Sequence, residues 1–408
     1  MQMSFDYAPL FRTDLPPASP RWNGFPEYNF VGGHNDADGV PVTALADALT
    51  AVMKREGKRL ATYGMGYGSL GYGPLREAIA AMLEARASMA TDPDNILITT
   101  GSLQGLDLVN GALLNPGDTV IVEDVTYGGA LGKLRTLGAN YVGIPVDQDG
   151  MRMDHLAEVL AAQKRAGVRP KFIYTIPTVQ NPSGTVMTEQ RRRELLDLAA
   201  EFGVPIFEDD CYADLLWDGE RPATIRSMDQ AGQVIYCGSF SKSIAPALRI
   251  GYVVADWPVL SRILPLKSDG GCGALEQMAL AEYCPTQFDG HVADLQKLLH
   301  DKCVVMVTTL EEQFGATAEF SVPKGGIFIW ITLPDNVDTD HLAKVAAAQG
   351  VLINPGSEWS ADADGGRHRL RLCFGHPSHQ VIRDGVTRLA EICHAEFGVP
   401  VRGANVER

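Results

Sequence analysis

The chain has 408 residues, of which 45% are hydrophobic and 21% charged, a composition typical of folded globular proteins and not of disordered chains. Its 50 acidic and 35 basic residues give a formal charge of −15, which argues against a nucleic-acid or anionic membrane surface as partner. The length suggests two or three domains, or one large domain with a smaller one.

The N-terminal segment is rich in Pro and Gly and predicts an arm, which we bound at residues 1–45. Its first residues, MQMSFDYAPLFRTD, lack the basic stretch and apolar run of a signal peptide. Nowhere in the chain do roughly 18 uncharged apolar residues follow one another, so the pattern indicates no membrane span. We therefore expect a cytoplasmic protein.

From about residue 46, short β-prone apolar runs alternate with amphipathic segments. Several runs lack in–out alternation, which is typical of strands covered on both faces. The alternation predicts an α/β layer fold with a mostly parallel sheet. The predicted strands are 96–100, 119–124, 140–146, 171–176, 204–209, 234–239 and 249–255. The predicted helices are 73–89, 103–114, 128–138, 152–166 and 188–202.

Near residue 256 the pattern changes to one of mixed helices and strands. We therefore place a large domain at 46–284 and a smaller α+β domain at 285–408, which the arm joins. The predicted elements of this part are helices at 257–268 and 274–315, a strand in KGGIFIWITL (324–333), a helix near 339–349, a strand in RLRLCF (369–374) and a helix near 378–396.

Cysteine and histidine spacing gives no sign of a metal site. The seven cysteines are scattered without a CxxC, and the nine histidines show no HxxxH. An odd number of scattered cysteines indicates reduced thiols and not a disulfide framework.

The segment GSFSKSIAPALRIG (238–251) is the most informative in the chain. Lys242 follows a predicted strand in apolar, Gly/Ser-rich surroundings, where desolvation would lower the pKa of its amine towards that of a nucleophile. The hydroxyls of Ser239 and Ser241 and the guanidinium of Arg249 are groups that bind phosphate. Taken alone, an SxSK is more often a solvated lysine at a strand end.

This segment resembles the lysine motif of fold-type I, class I/II aminotransferases, which bind pyridoxal 5'-phosphate (PLP). The branch it resembles contains 2-aminoadipate and aromatic aminotransferases, and the same domain occurs in MocR-type regulators. Other motifs follow in the family's order from about residue 28 to 396. The resemblance implies a three-layer large domain with a mostly parallel seven-stranded sheet, and a smaller α+β domain. It makes Lys242 the Schiff-base and proton-transfer residue, with Ser239, Ser241 and Arg249 on the phosphate.

A second motif is TTGSLQGLDL (99–108), a predicted strand followed by a helix start. Backbone N–H groups and the helix dipole suit a phosphate at this point. The resemblance places Gly101, Ser102 and Leu103 at the PLP phosphate, together with the side chain of Gln104. The alternative is a plain Gly-Ser helix cap.

Two motifs resemble those that contact the PLP ring. VEDVTYGG (122–129) is similar to the family's E-x-P-x-Y, which implies that Tyr127 stacks on the ring. FEDDCYADL (207–215) implies that Asp209 binds the pyridine nitrogen and Tyr212 the phenolic oxygen. A carboxylate at that nitrogen favours its protonated form. Asp210 is the alternative, but the spacing to Tyr212 favours Asp209.

Three further positions follow from the resemblance and concern the substrate carboxylate. In QNPSG (180–184), Asn181 would bind the phenolic oxygen and the carboxylate, although N-P-S-G is also a good turn on propensity alone. In RHRLRLCF (367–374), Arg371 would clamp the carboxylate, with Arg369 the main rival and Arg367 a weaker one. In the third motif, FVGGHNDADGVP, Gly33 would approach the carboxylate.

Two segments depart from the family pattern. His34 and Asn35 stand where Leu and Pro are common, so His34 is either a substrate contact or an exposed loop histidine. In YGMGYGSLGYGPLREA (63–78), Tyr67 fits the tyrosine that reaches the phosphate of the neighbouring subunit, with Tyr63 as the alternative. Either tyrosine implies a homodimer with a shared active site.

The resemblance therefore predicts ping-pong transfer of an amino group from an L-amino acid to a 2-oxo acid such as 2-oxoglutarate or pyruvate. Another PLP reaction remains open: elimination, replacement, cyclisation or decarboxylation. A PLP sensor of MocR type is disfavoured, because only about 30 residues precede the family region. The donor also stays open: Arg12 and Arg21 would pair with an acidic side chain, whereas Trp22, Tyr28 and Phe30 would line an apolar pocket.

Overall fold

The computed structural model describes residues 5–13, 15, 18–19, 21–362 and 364–401. Within these ranges the strands are β1 (Tyr28–Asn29), β2 (Ile96–Thr99), β3 (Thr119–Glu123), β4 (Asn140–Ile144), β5 (Val146–Asp147), β6 (Gly150–Met151), β7 (Ile173–Thr175), β8 (Ile206–Asp209), β9 (Val234–Ser239), β10 (Gly251–Val254), β11 (Glu319–Phe320), β12 (Phe328–Thr332), β13 (Val351–Leu352), β14 (Asn354–Pro355) and β15 (Arg369–Cys373). The α-helices there are α1 (Val42–Glu56), α2 (Gly73–Ala87), α3 (Ser102–Leu113), α4 (Gly128–Thr136), α5 (Met153–Arg165), α6 (Glu189–Phe202), α7 (Ile225–Met228), α8 (Trp257–Ile263), α9 (Ala274–Phe314), α10 (Thr339–Ala348) and α11 (His379–Phe397).

The large domain is built on a seven-stranded sheet with the order β2-β10-β9-β8-β7-β3-β4. Each of these strands lies within a segment predicted from the sequence. Strand β10 runs antiparallel to both neighbours, and the other pairs are parallel. All strands except the edge strand β4 are wholly buried, which explains the absence of in–out alternation. The predicted α/β fold with a mostly parallel seven-stranded sheet is confirmed.

The sequence pattern missed helix α1. Only Ala48 and Val52 are buried in this helix, so its apolar face is too narrow to stand out beside the Pro- and Gly-rich arm. The five helices predicted between the strands, α2 to α6, begin within one residue of their predicted starts. Residues 257–268 form the short helix α8 followed by a 3-10 turn.

The small domain contains an antiparallel sheet of four strands in the order β11-β12-β15-β14. The N-terminal segment joins it, because β1 pairs with β13. Phe30 is fully buried in the core of this domain, and Tyr28 packs against the same core. A Cβ added to Gly385 would lie 2.6 Å from the Phe30 ring. The ring therefore packs against helix α11 at a position that has no side chain. Phe30 and Tyr28 therefore belong to this core. The alternative in which they line an apolar substrate pocket is wrong.

Helix α9 runs through both domains. Its 41 residues contain Pro285, and its first half contributes Met278 and Tyr283 to a core of the large domain. Its second half contributes Met306 and Leu310 to the core of the small domain. The domain boundary at 284/285 thus falls inside a continuous helix and stays a prediction. Among the described residues, no helix has both the length and the apolar character that a membrane span requires.

Replacement of Phe30 tests whether the N-terminal segment is part of the small-domain core. We expect Phe30→Ala to lower the free energy of unfolding by about 3–5 kcal/mol, because it leaves a cavity in a closed core. Phe11 is 62% exposed. As the control, Phe11→Ala is expected to change the free energy of unfolding by less than about 0.5 kcal/mol. Urea unfolding measures both, and similar small losses would contradict the assignment.

Candidate active site

A cavity of about 290 Å³ lies at the carboxyl ends of the parallel strands, where α/β proteins bind ligands. Its walls come from the large sheet, the N-terminal segment and the small domain. The predicted site residues that line it are Gly33, Ser102, Leu103, Tyr127, Asn181, Asp209, Tyr212, Ser239, Ser241, Lys242, Arg249 and Arg371. The residues that line it without having been predicted are Gly32, Ile176, Cys211, Pro246, Asn354 and Trp359.

Lys242 lies in the turn that follows β9. Its Nζ donates a hydrogen bond to the carbonyl oxygen of Gly33 at 2.6 Å. Burial lowers the pKa of the Lys242 amine, because a charged ammonium is poorly solvated there. A larger fraction of this amine is therefore neutral and nucleophilic near neutral pH than for an exposed lysine.

Asp209 presents a buried acceptor without a partner. At the end of β8, its Oδ2 accepts the hydroxyl of Tyr174 at 2.7 Å, whereas its Oδ1 has no hydrogen-bond partner. Burial raises the pKa of the Asp209 carboxyl. The rival Asp210 instead pairs with Arg221 at 2.8 Å and accepts the hydroxyl of Tyr236 at 3.0 Å. The structure therefore places Asp209, and not Asp210, in the cavity.

One end of the cavity collects anion-binding groups. Helix α3 begins at Ser102, directly after Gly101, whose φ of +74° suits glycine. A Cβ on Gly101 would overlap the guanidinium of Arg249, so Gly101 allows the arginine to approach the helix start. Arg249 Nη1 lies 3.4 Å from Ser241 Oγ, and the Ser241 N–H donates to Ser239 Oγ at 3.1 Å. Two hydroxyls, a guanidinium and a helix N-terminus suit a phosphate.

Three predicted residues are not among those that line the cavity: Gly101, which adjoins Arg249, and Gln104 and Tyr67, whose side chains lie elsewhere. The Gln104 side chain accepts the Thr100 N–H at 2.8 Å and donates to Asp269 at 2.6 Å, so it points away from the anion-binding end. Tyr67 packs edge-on against the ring of Tyr72, with centroids 5.3 Å apart. The alternative tyrosine, Tyr63, is 91% exposed. This chain's own cavity therefore does not use the side chains of Gln104, Tyr67 or Tyr63.

The guanidinium of Arg371 enters the cavity from β15. Nη1 donates to Asn181 Oδ1 at 3.0 Å, and Nη2 donates to the Gly32 carbonyl at 2.7 Å and to Asn354 Oδ1 at 2.9 Å. The group lies 3.8 Å from the centroid of the Trp359 ring, a cation–π contact. Its Nε is buried and has no partner.

The rival arginines occupy other places. Arg369 lines a separate pocket, and Arg367 bonds to Asp338 at 3.2 Å. Neither is among the residues that line the 290 Å³ cavity. Of the three arginines in RHRLRLCF, the structure therefore brings Arg371 alone to the candidate site.

Buried polar contacts also organise the loops after β3 and β7. In the loop after β7, Asn181 Nδ2 lies 3.3 Å from the Tyr212 hydroxyl. After β3, the ring of Tyr127 contacts that of Trp359, with the two centroids 6.0 Å apart. Trp359 and Asn354 were not predicted from the sequence, because each contacts Arg371 only in the folded chain and lies in no recognisable motif.

Glu123, at the end of β3, is a buried carboxylate held by neutral donors. It accepts the hydroxyl of Thr175 at 2.6 Å, the Ile176 N–H at 3.2 Å and the amide of Gln180 at 2.9 Å. Gln180 precedes Asn181, so this carboxylate fixes the start of the loop that carries Asn181. Burial raises the pKa of Glu123 to about 7.

Comparison with known proteins identifies the family. The family described as aminotransferase class I and II matches residues 33–389. The chain belongs to this family. It is 33% identical to aromatic-amino-acid aminotransferase 1 of Thermococcus litoralis, over 90% of this chain and 88% of that protein. It is 31% identical to 2-aminoadipate transaminase of Thermus thermophilus, over 88% of each. The crystal structure of kynurenine aminotransferase from Pyrococcus horikoshii matches with a TM-score of 0.85 and 34% identity, over 90% of this chain and 91% of that one.

The protein is accordingly an aminotransferase that depends on PLP. The cavity fits this cofactor in three respects. The free, buried Oδ1 of Asp209 is an acceptor for a protonated ring nitrogen. The anion-binding end suits the phosphate. The amine of Lys242 lies in the same cavity and can bind an aldehyde.

Glu123 gives a prediction about pH. Its pKa is raised from 4.5 to about 7 in the folded protein, so the folded state binds this proton more tightly than the unfolded state. The stability that Glu123 contributes is therefore present below about pH 4.5 and is lost as the pH rises to about 7. We expect the free energy of unfolding of wild type, minus that of Glu123→Gln, to fall by about 2–3 kcal/mol between pH 5 and pH 8.

Urea unfolding at the two pH values measures this difference. Taking the difference between proteins cancels the contribution of Glu208, whose pKa burial also raises to about 7. The exposed Glu201→Gln serves as control and is expected to give no such change. A difference that stays constant between pH 5 and pH 8 would show that Glu123 ionises normally.

Proposed function

We propose that Lys242 binds PLP covalently and moves the proton in a ping-pong transfer of an amino group from an L-amino acid to a 2-oxo acid. One observation carries this proposal: the Lys242 amine, the unpartnered Asp209 oxygen and the Arg371 guanidinium line one cavity. Membership of the aminotransferase family supports the reaction type.

Bound PLP supplies an electron sink for the carbanion formed at the substrate Cα. Asp209 keeps the ring nitrogen protonated, and the ring's positive charge in turn favours the ionised carboxylate. Tyr127 covers the ring, while Asn181 and Tyr212 bind its phenolic oxygen. The residues we assign to the phosphate are Gly101, Ser102, Leu103, Ser239, Ser241 and Arg249.

Lys242 accepts and returns the proton at Cα. Its lowered amine pKa suits this role, since a general base must be largely neutral at working pH. Arg371 binds the substrate α-carboxylate, together with Asn181 and the Gly33 backbone. The guanidinium is held in place before substrate arrives, by the Gly32 carbonyl and Asn354 and against the Trp359 ring, so little ordering remains to be done on binding.

For the donor we propose an aromatic amino acid or 2-aminoadipate, the substrates for which two relatives are named. For the acceptor we propose 2-oxoglutarate or pyruvate. We further propose a cytoplasmic homodimer in which Tyr67, or Tyr63, reaches the partner's phosphate site. The location of Tyr67 outside its own cavity supports this arrangement, as does the 91% exposure of Tyr63.

Absorbance of the purified holoenzyme tests the central role of Lys242. We expect the visible band of the cofactor to bleach when a donor amino acid is added alone and to return with a 2-oxo acid, because the two half-reactions are separate. Lys242→Ala, incubated with PLP, is expected to lose both the band and the turnover. A wild-type band in Lys242→Ala would refute the assignment. Release of ammonia or carbon dioxide with an unreturned band would favour another PLP reaction.

A pair of arginine variants tests the carboxylate site. We expect Arg371→Gln to lower kcat/KM for the donor by about 100-fold or more, because a charge-assisted fork to the carboxylate is lost. Its affinity for PLP should change little, since Arg371 is assigned to the substrate. Arg369→Gln, on the same strand, is the matched control and is expected to stay within about twofold of wild type. Steady-state kinetics measures both, and a loss in Arg369→Gln as large as that in Arg371→Gln would contradict the assignment of the carboxylate to Arg371 alone.

A further inference from the structure

A short loop, residues 32–36, contacts both the Lys242 amine and the Arg371 guanidinium of the candidate site. The carbonyl of Gly32 accepts from Arg371 Nη2 at 2.7 Å, and the carbonyl of Gly33 accepts from Lys242 Nζ at 2.6 Å. Arg371 belongs to the small domain and Lys242 to the large one. Two consecutive carbonyls of this loop thus set how far apart the amine and the guanidinium lie.

Asn35 ties the same loop to the backbone of the Lys242 turn. Its Nδ2 donates to the carbonyls of Lys242 at 3.2 Å and Ile244 at 3.3 Å. Both partners are acceptors, so they fix which end of the side-chain amide faces them. The loop therefore holds both the backbone and the side-chain end of Lys242.

Asp36 anchors the other end of the loop to helix α9. Its carboxylate forms an ion pair with Lys302, and the two side chains are 14% and 3% exposed. Lys302 Nζ also donates to the carbonyls of Gly375 at 3.1 Å and Pro377 at 2.8 Å, just beyond β15. The chain segment that follows Arg371 and the loop that contacts Arg371 are thus fixed to the same ammonium group.

We propose that Asn35, Asp36 and Lys302 are positioning residues that keep the 32–36 loop in place for proton transfer by Lys242. A lysine side chain has four flexible carbons, and its buried amine needs an acceptor whenever the cofactor does not hold it. The Gly33 carbonyl supplies that acceptor and selects one direction for the amine. The proposal rests on the function proposed above for Lys242.

A buried ion pair can also serve the fold alone, so the test must separate positioning from stability. Asn35→Ala removes two hydrogen bonds at the Lys242 turn, and we expect kcat to fall about tenfold. The dissociation constant of PLP should change by less than kcat, because Asn35 bonds only to backbone carbonyls of this turn and to none of the side chains assigned to the ring or the phosphate. Asn336→Ala is the matched control: its amide also donates to a carbonyl, that of Phe397 at 2.9 Å, but it lies on the surface. That variant should match wild type.

Hydrogen exchange of the holoenzyme gives a readout independent of turnover. In Asn35→Ala we expect faster exchange in segments 30–37 and 238–246 and nowhere else. Asn35→Asp keeps the size but turns an oxygen towards two carbonyls, so its kcat should fall further than that of Asn35→Ala.

Three results would overturn the proposal: an unchanged kcat, a loss of PLP affinity as large as the loss in kcat, or faster exchange throughout the chain. These outcomes differ from a failure of the proposed function. In that case Lys242→Ala would keep the cofactor band, whatever the Asn35 variants do.

Discussion

A buried guanidinium has to be hydrogen-bonded on several sides, and Arg371 meets this requirement only where different parts of the fold converge. Its partners are Asn181 from a loop of the large domain, the Gly32 carbonyl from the N-terminal segment and Asn354 from β14. Since leaving such a charge without partners is costly, the Arg371 contacts specify how these three segments lie relative to one another. The cavity lies where these segments meet.

Burial also sets the electrostatics of this cavity. It lowers the pKa of the Lys242 amine and raises that of the Asp209 carboxyl, so burial disfavours the charged form of each group. In the function proposed above, Asp209 would face a protonated ring nitrogen of PLP, and the Lys242 amine would face its aldehyde. The same burial that costs free energy in the folded chain therefore prepares each group for its proposed partner.

Much of the fold was predictable because it depends on local patterns. The strands of the large sheet were recognised as apolar runs, since both of their faces are covered, and the lysine motif located Lys242 and Arg249. Helix α1 was missed because so few of its residues are buried. The Gln104 side chain lies away from its predicted position because successive residues of a helix point about 100° apart, which turns this side chain towards Asp269. Trp359 and Asn354 approach Arg371 only through the tertiary fold, so no local pattern marks them.

Helix α9 packs in both domains, so a small bend in it would displace residues that lie far along its axis. Its 41 residues span about 60 Å, and Pro285 removes one of its internal hydrogen bonds near the N-terminal end. Lys302 lies 17 residues beyond Pro285, or about 25 Å along the axis. A bend of about 5° at the proline would therefore displace Lys302 by about 2 Å, enough to break a hydrogen bond. Small changes of curvature in this helix would thus shift Lys302 and, through its ion pair with Asp36, the loop that contacts the Lys242 amine.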